Sequence, residues 1–352
     1  MKGTAADREQ TPAGCGFFMP AEWEAQSGVW LSWPHDEETF PDLGGVKETY
    51  ADIICAVCEH EHVHLLVRDT DDLKEAKNLI ARRTCPSPHN LVPHEVDYAD
   101  VWIRDYGPSF IVNRERAEIA MVDWTFNAWG NKYPALLGDD LVPSIINEEL
   151  RLTRFCPGIV LEGGSIDVNG RGMVMTTEQC LFHKNRNPDL SRTDLEEILC
   201  RYLGVLKVIW LKEGIAGDDT DGHIDDVARF VGERTVICAF EEDPEDENHL
   251  PLRENFRILS QETDLSGRPL NVIPLPLPGR VGDDRRLPAS YANFLVTNRT
   301  VLYPVFNHPN DRKAKAVLES VFPGREPVGI DCRALVQGLG AIHCISQQQP
   351  LP

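Results

Sequence analysis

One pattern recurs along this chain at intervals of 51 to 70 residues, and it constrains the fold more than any other feature. Each copy has a polar marker residue, then a short apolar strand, a polar turn and a return strand. The markers are Asp105, Glu162, His223, Asn293 and Cys344, which subtraction of residue numbers places 57, 61, 70 and 51 apart. Self-similarity at such a period is typical of radially repeated folds.

Helices and further strands follow several of these hairpins. The predicted hairpins pair Ser109–Val112 with Ala117–Asp123, Ser165–Val168 with Met173–Thr176, Val227–Val231 with Thr235–Phe240, and Phe294–Thr297 with Val301–Phe306. Helices are predicted at Ser191–Leu203 and Asp311–Val321, leading to strands Val205–Leu211 and Pro327–Ile330. A first unit holds the strand with Trp30 and Trp33, helices Glu48–Cys58 and Asp71–Arg83, and strand His62–Val67.

The repeat predicts an α/β fold: a five-bladed, pseudo-symmetric α/β propeller of strand-strand-helix-strand units. The predicted single domain spans residues 17–352, and residues 1–16 form a polar leader that we expect to be flexible. The final copy predicts a short strand at Ala341–Ser346, after the turn Gly338-Leu339-Gly340. Cys344 in this strand is either a small buried hydrophobe, the commoner case for cysteine, or a nucleophile.

Markers at equivalent strand starts should converge on one end of the central axis. Asp105, Glu162, His223 and Cys344 are therefore predicted to meet in one pocket, although 239 residues separate the first from the last. Each has a plainer reading alone: Glu162 as a turn cap, Asp105 as a partner of Arg104, and His223 as a surface histidine. Their matched repeat positions favour the functional reading.

Composition narrows the classes of partner. The net charge is −21, from 56 acidic and 35 basic residues, which argues against nucleic-acid binding and suits a small cationic substrate. No apolar run approaches the roughly 20 residues of a spanning helix, so no membrane association is expected. The N-terminus has no secretory h-region, and the ten cysteines are expected to be reduced thiols in a cytoplasmic protein.

The run Cys55-x-x-Cys58-x-His60-x-His62-x-His64 raises the question of a metal site. Its histidines alternate along a helix exit and a strand, and no second CxxC pair follows downstream. Structural zinc sites usually have such paired ligands. We therefore expect no metal and no cofactor.

The predicted cluster suits covalent catalysis by a cysteine thiolate, with His223 as general acid or base. Asp225 lies two residues beyond His223, so it shares a strand face and can pair with His223 or contact substrate. Several carboxylates in a buried pocket require an offsetting cation. A planar guanidinium can be held by two carboxylates in forks. Thiolate attack on its carbon, loss of ammonia and hydrolysis of the adduct would constitute deimination.

Several motifs carry a resemblance to a known family. They are MPAEWE from Met19, Trp102-Ile103-Arg104-Asp105, FNAWG at Phe126–Gly130, LEGG at Leu161–Gly164, DDTDGHIDD at Asp218–Asp226, and GLGAIHC at Gly338–Cys344. From Met19 to the final glutamines, the chain resembles agmatine deiminases and the related bacterial peptidylarginine deiminase-like proteins of the guanidine-modifying superfamily. The resemblance implies the same five-bladed propeller and hydrolysis of agmatine to N-carbamoylputrescine and ammonia.

The resemblance also implies residue roles. It implies Cys344 as nucleophile, forming a covalent thiouronium adduct, and His223 as general acid and base supported by Glu162. Asp105 and Asp225 would bind the guanidinium. Further expected substrate-binding positions are Trp102 and Asp219 in the channel, with Asp219 facing the distal amine, together with Arg104 and Gly340.

Alternatives remain open at this point. Where many agmatine deiminases have Gly-Gly-Gly-Asn, this chain has Gly-Leu-Gly-Ala, a change that would alter the pocket rim. The alternative substrates are arginine, peptidyl-arginine or another guanidine, with Arg104 or the Arg285-Arg286 pair recognising an α-carboxylate. A remote alternative is a non-catalytic protein that binds polyamines or guanidines. A homo-oligomer, dimeric or tetrameric, is also expected.

Overall fold

The protein, described here by a computed structural model, contains five small mixed β-sheets within residues 10–282 and 284–352. The first holds β1 (Gln26–Ser32), β2 (His62–Val67) and β3 (Leu91–Glu95). The others hold β4 (Ser109–Asn113), β5 (Glu118–Val122) and β6 (Thr153–Phe155); β7 (Asp167–Val168), β8 (Met173–Thr177) and β9 (Lys207–Leu211); β10 (Ala228–Phe230), β11 (Thr235–Phe240) and β12 (Asn271–Pro276); and β13 (Leu295–Val296), β14 (Thr300–Val305) and β15 (Glu326–Asp331).

These last four sheets share one topology. Their first two strands form an antiparallel hairpin, and the third strand runs parallel to the second. In the first sheet the hairpin partner of β1 comes from the other end of the chain: β16 (Ser346–Pro350) pairs antiparallel with β1, and Trp30 lies opposite Gln347. The repeated unit predicted from the sequence is therefore present in each sheet.

Helices connect the strands and cover the sheets. They are α1 (Leu43–Cys58), α2 (Thr70–Ala81), α3 (Ile103–Tyr106), α4 (Ala128–Asn131), α5 (Val142–Leu150), α6 (Glu178–Leu181), α7 (Arg192–Leu203), α8 (His249–Gln261) and α9 (Asp311–Val321). Helix α7 begins with a capping box in which Ser191 and Asp194 satisfy each other's backbone N–H groups. Buried apolar residues of α1, including Tyr50, Ile53 and Ile54, join β1 and β2 in the largest core cluster.

The fold is a mixed α/β fold, as predicted, but two local predictions are wrong. Residues 342–345 form turns rather than a strand, and the last strand begins only at Ser346. The Ser346 backbone N–H donates to the His343 carbonyl at 3.1 Å, which closes the turn that holds Cys344. The markers also precede their strands instead of beginning them; Asp105, for example, lies on α3, four residues before β4.

Part of the predicted leader can be described. Residues 1–9 lie outside the described residues, whereas Ala13–Cys15 form a 3-10 helix. The Asn113 side chain donates to the Cys15 carbonyl at 3.0 Å, so this segment packs beside β4. Within the described ranges, every helix is too short or too polar to span a bilayer.

Candidate active site

Cys344 lines a cavity of about 180 Å³ that is bounded mainly by residues from the turns and short helices before the strands. This volume is below the roughly 300–1,000 Å³ of sites for drug-sized ligands and suits a short, linear molecule. Its lining includes four residues predicted for the site and several others: Trp102, Asp105, Asp219 and Cys344, with Trp129, Tyr133, Thr220, Arg285 and Leu339.

The Cys344 thiol is buried and held by polar neighbours. The Asn293 side-chain amide donates to Sγ at 3.1 Å, and Sγ lies 3.9 Å from Oδ2 of Asp225. Burial raises the pKa of this thiol well above its ordinary value, and the charges of Asp225, Asp226 and Asp105 raise it further. The resting group is therefore a neutral thiol near neutral pH.

Gly340 allows the turn to approach the wall of the cavity. A Cβ atom at this position would overlap the ring of Trp102 and lie 3.0 Å from the Cβ of Cys344. The Trp102 ring is fixed in turn by a 3.0 Å hydrogen bond from Nε1 to Asp100. Gly340 therefore lets the turn that holds Cys344 pack closely against the Trp102 ring.

Asp105 presents a fixed carboxylate at the cavity. Its Oδ1 accepts a hydrogen bond from the Gly164 backbone N–H at 3.0 Å, and its Oδ2 accepts one from Trp129 Nε1 at 2.9 Å. Burial raises the pKa of Asp105 well above its usual value, and the nearby charges of Asp225 and Glu162 add to this. A bound cation would favour the ionised form.

His223 lies next to Asp105. Its Nδ1 is 3.6 Å from Asp105 Oδ1, beyond ordinary hydrogen-bond length. Its Nε2 has no hydrogen-bond partner among residues 10–282 and 284–352. Burial lowers the pKa of His223 to about 3, so the resting ring is neutral and can accept a proton.

Glu162 lies near this histidine in a fully buried position, with a carboxylate oxygen within 4.8 Å of a His223 ring nitrogen. Its Oε1 accepts a 2.6 Å hydrogen bond from Arg186 Nε, and neither side chain is exposed. Burial raises the pKa of Glu162 although Arg186 opposes the shift. Arg186 also binds Asp221 at 2.8 Å, which ties Glu162 to the loop that precedes His223.

Asp225 differs from Asp105 in its electrostatic surroundings. Its Oδ2 lies 2.7 Å from His343 Nδ1, whereas its Oδ1 finds no protein partner in the part of the chain that the structure describes. Burial alone would raise the pKa of Asp225, but the hydrogen bond and charge of His343, together with the charges of His223 and Arg229, outweigh it and lower the pKa. Asp225 therefore offers an ionised carboxylate with one free oxygen.

The mouth of the cavity carries both signs of charge. Asp219 is part-exposed, and its Oδ2 accepts a 2.6 Å hydrogen bond from the Tyr133 hydroxyl. Arg285 also lines the mouth, and among the described residues its guanidinium makes one long hydrogen bond, of 3.3 Å, to the Gln337 carbonyl. Arg286 instead pairs with Asp246 at 2.8 Å and does not line the cavity.

Arg104, predicted as a substrate-binding residue, lies behind the thiol rather than in the cavity. Its side chain is buried, donates to the His343 carbonyl at 3.2 Å, and donates to Gln348 at 2.7 Å. Its backbone N–H also donates to the Cys344 carbonyl at 3.2 Å. This arrangement gives Arg104 a supporting position beneath the Cys344 turn.

Four residues that contact the predicted site have no individual role in the prediction from sequence. Trp129 lies within the FNAWG motif and Glu22 within MPAEWE, so a motif signal exists for both. His343 adjoins Cys344 within the final motif. Arg186 carried no signal, because nothing in the sequence pattern distinguishes it from a surface arginine.

Two buried groups could offer metal ligands. The first group is Glu162, Cys180 and His223, and the second is Asp225, Asp226 and Cys344. Within each group the possible ligand atoms lie within 4.8 Å of one another. Both groups coincide with residues predicted for thiol and acid–base chemistry. The expected absence of a metal therefore stays a prediction.

Comparison with solved structures gives the class of protein. The chain superposes on the agmatine deiminase of Enterococcus faecalis with a TM-score of 0.91 and 35% identity, covering 100% of this chain and 99% of that one. It superposes on a C. jejuni agmatine deiminase variant, solved with substrate bound, with a TM-score of 0.85 and 32% identity over 95% and 96% of the two chains. The fold is that of agmatine deiminases.

Sequence comparison gives the family. Residues 18–350 match the Porphyromonas-type peptidyl-arginine deiminase family, and the chain belongs to it. The agmatine deiminase of Pseudomonas fluorescens is 37% identical over 368 residues, covering 97% of this chain and 98% of that protein. The resemblance predicted from the motifs is confirmed.

Proposed function

We propose that the protein hydrolyses agmatine to N-carbamoylputrescine and ammonia. The observation that carries this proposal is the meeting of Cys344, His223, Asp105 and Asp225 from distant repeats. The thiol and Asp105 line one small cavity, His223 Nδ1 lies 3.6 Å from Asp105, and the thiol lies 3.9 Å from Asp225. The full-length likeness to agmatine deiminases of three organisms supports the same reaction.

Binding would be driven by the two carboxylates. The guanidinium would lie between Asp105 and Asp225. Its positive charge would offset the repulsion between these two buried carboxylates. The same positive charge would lower the pKa of the Cys344 thiol, which those acids raise in the resting protein. Substrate would thus help to ionise its own nucleophile.

Chemistry would follow in two stages. Cys344 Sγ bonds to the guanidinium carbon while its proton passes to His223, and His223 then protonates the departing nitrogen as the C–N bond breaks and ammonia leaves. In the second stage His223 takes a proton from water, the new C–O bond forms, and the C–S bond of the thiouronium breaks. The thiol regains a proton, and the proton left on His223 passes to solvent.

Asp219 supports agmatine as substrate. Its part-exposed carboxylate lies at the cavity mouth, where the distal ammonium of a guanidinoalkyl amine would emerge. The Tyr133 hydroxyl orients this carboxylate, leaving its other oxygen toward Lys132, 3.7 Å away. We infer that Asp219 binds the distal amine, and that Trp102 forms the apolar wall along the alkyl chain.

Arg285 favours a second candidate, arginine itself. Its guanidinium lies at the same mouth and makes one long hydrogen bond within the described part of the chain, so it can bind an α-carboxylate while Asp219 binds the α-ammonium. A peptidyl-arginine would have to keep its backbone outside a cavity of about 180 Å³.

Ammonia release with agmatine, free arginine and an arginine-containing peptide separates these candidates. We expect the highest kcat/KM for agmatine, and Asp219→Asn should raise KM for agmatine with little change in kcat. If arginine is preferred and Arg285→Ala removes that preference, the second candidate replaces the first. Absence of ammonia from every guanidine tested would contradict both.

We also propose that the five sheets close into a five-bladed propeller. The shared topology of the sheets supports it, as does pairing between β1 and β16, which joins the first unit to the last. In this arrangement the marker residues surround one end of a central axis.

A further inference from the structure

His343 makes a contact that the proposed mechanism does not use. Its Nδ1 lies 2.7 Å from Asp225 Oδ2, and its Nε2 lies 2.9 Å from Glu22 Oε2. The side chain is 2% exposed, so water does not screen either contact. Among the described residues, His343 is the one histidine whose two ring nitrogens both contact carboxylates.

These two contacts define the protonation of the ring. A neutral imidazole has one N–H donor and one bare nitrogen, and an ionised carboxylate can only accept. A neutral ring would therefore direct a lone pair at one of the two carboxylates at hydrogen-bond distance. Two protons on the ring make both contacts favourable charge-assisted hydrogen bonds.

Glu22 is itself held as an anion. Its Oε1 accepts a 2.7 Å hydrogen bond from the Val296 backbone, and its Oε2 also pairs with Arg229 at 2.5 Å. Burial alone would raise the pKa of Glu22, but Arg229 and His343 outweigh it and lower the pKa. Glu22 therefore gives His343 a fixed negative partner.

The backbone of His343 is fixed as firmly as its ring. Its N–H donates to Asn293 Oδ1 at 2.9 Å, and its carbonyl accepts from Arg104 Nε at 3.2 Å. Asn293 also donates to the Cys344 thiol at 3.1 Å. A ring held this way can fix the Asp225 carboxylate so that Oδ2 is occupied and Oδ1 stays free.

We infer that His343, as a doubly protonated imidazole bridging Asp225 and Glu22, is a positioning residue that keeps Asp225 ionised and correctly rotated for the guanidinium. The inference rests on the proposed function in treating Asp225 as a guanidinium-binding acid. It gives the MPAEWE motif a role as well, because Glu22 is the far anchor of the bridge. Removing the imidazolium should let the buried Asp225 take up a proton and lose affinity for the cation.

Other charged groups around this bridge must be held constant in a test. The groups that act on Asp225, Glu22 or Cys344 are His223, Asp226, Asp105, Arg104 and Arg229, and Asp167 acts in turn on Arg229. Comparing one variant with its parent across pH cancels their shared contributions. The informative quantity is thus the difference between two pH profiles.

The experiment measures agmatine binding by calorimetry in a Cys344→Ala background, with and without His343→Gln, from about pH 6 to about pH 8.5. In the His343→Gln protein we expect affinity to fall, relative to the parent, by about tenfold for each pH unit below the new pKa of Asp225. Identical profiles for the two proteins would overturn the inference. Loss of agmatine binding in the parent at every pH would instead count against the proposed function.

His94→Gln is the matched control. His94 is also buried and pairs with a carboxylate, Glu149, at 2.8 Å, but it lies on β3 away from the cavity. This variant should lower the melting temperature without changing the pH profile of agmatine binding. A profile altered as in His343→Gln would show a general effect of destabilisation and would refute the specific role.

A measurement on the unsubstituted protein covers the case in which His343→Gln does not fold. The chain has 11 histidines, and a spectrum of ¹⁵N-histidine-labelled protein near neutral pH reports which ring nitrogens carry protons. We expect the His343 ring to carry a proton on each nitrogen, because both nitrogens contact carboxylates. Eleven neutral rings would exclude the imidazolium bridge, whether or not the protein turns over agmatine.

Discussion

Gly164 lies where two predicted catalytic side chains come closest, and an added methyl group tests that geometry. A Cβ at this position would lie 2.6 Å from His223 Nδ1 and 2.7 Å from Asp105 Oδ1. Ordinary van der Waals contacts begin near 3.4 Å, so the His223 ring, the Asp105 carboxylate or both must shift by up to about 0.8 Å. Displacements of about 1 Å in a reacting group cost roughly 10²-fold in rate. We therefore expect Gly164→Ala to lower kcat/KM for agmatine about 10²-fold, about 2.7 kcal/mol of transition-state stabilisation.

Ammonia release under initial-rate conditions gives kcat/KM, and thermal melting monitors the fold. The overpacked site should also lose roughly 1–3 kcal/mol of stability, which leaves most molecules folded at the assay temperature. Gly138→Ala is the control, since a Cβ there would meet no atom within 4 Å. If Gly164→Ala kept kcat/KM within about threefold of the parent, then His223 and Asp105 would not need this spacing, and the proposed roles would fail.

Three further outcomes are expected. Cys344→Ala should abolish ammonia release yet keep agmatine binding measurable by calorimetry; near-normal turnover would remove Cys344 as nucleophile. Burial and nearby acids raise the pKa of the Cys344 thiol, so its alkylation by iodoacetamide should be slow near pH 7 and accelerate as the pH rises above the ordinary thiol pKa. An alkylation rate that has already reached its maximum at pH 7 would contradict the neutral resting thiol. A chain ending at Leu339 should lose its cooperative melt as well as its activity, because β1 then lacks its antiparallel partner β16; a retained sharp transition would refute that coupling.

The sequence predicted the repeated unit well because its signals are local. Turns such as Asn169-Gly170 mark hairpins, and amphipathic spacing marked helices such as α9, found with the predicted bounds Asp311–Val321. The region around Cys344 was predicted less well. A short apolar run, Ala341–Ile345, has the composition of a strand. Two side chains hold it as turns instead: Asn293 Oδ1 accepts from the His343 N–H, and the Ser346 hydroxyl donates to the Ile342 carbonyl.

The candidate site was predictable where chemistry imposes unusual residue types at matched positions. Cys344, His223 and Asp105 satisfy that condition, and they lie together with Asp225, two residues beyond His223. Arg104 shows the limit: its charge suggested a ligand contact, yet it is buried beneath the Cys344 turn. Supporting contacts such as Arg186 with Glu162 depend on chain segments 24 residues apart, which no local pattern encodes.

The pairing of β1 with β16 also sets an order of events during synthesis. Gln26 lies opposite Pro350, so the first strand is made 324 residues before the strand that completes its sheet. At a translation rate of about 5–20 residues per second, one edge of β1 stays unpaired for roughly 16–65 s before β16 has been synthesised. An unpaired edge is a template for association with other chains, so this interval is when the nascent protein most needs protection. Cys344 lies just before the closing strand, so the proposed nucleophile is made only shortly before the first sheet can be completed.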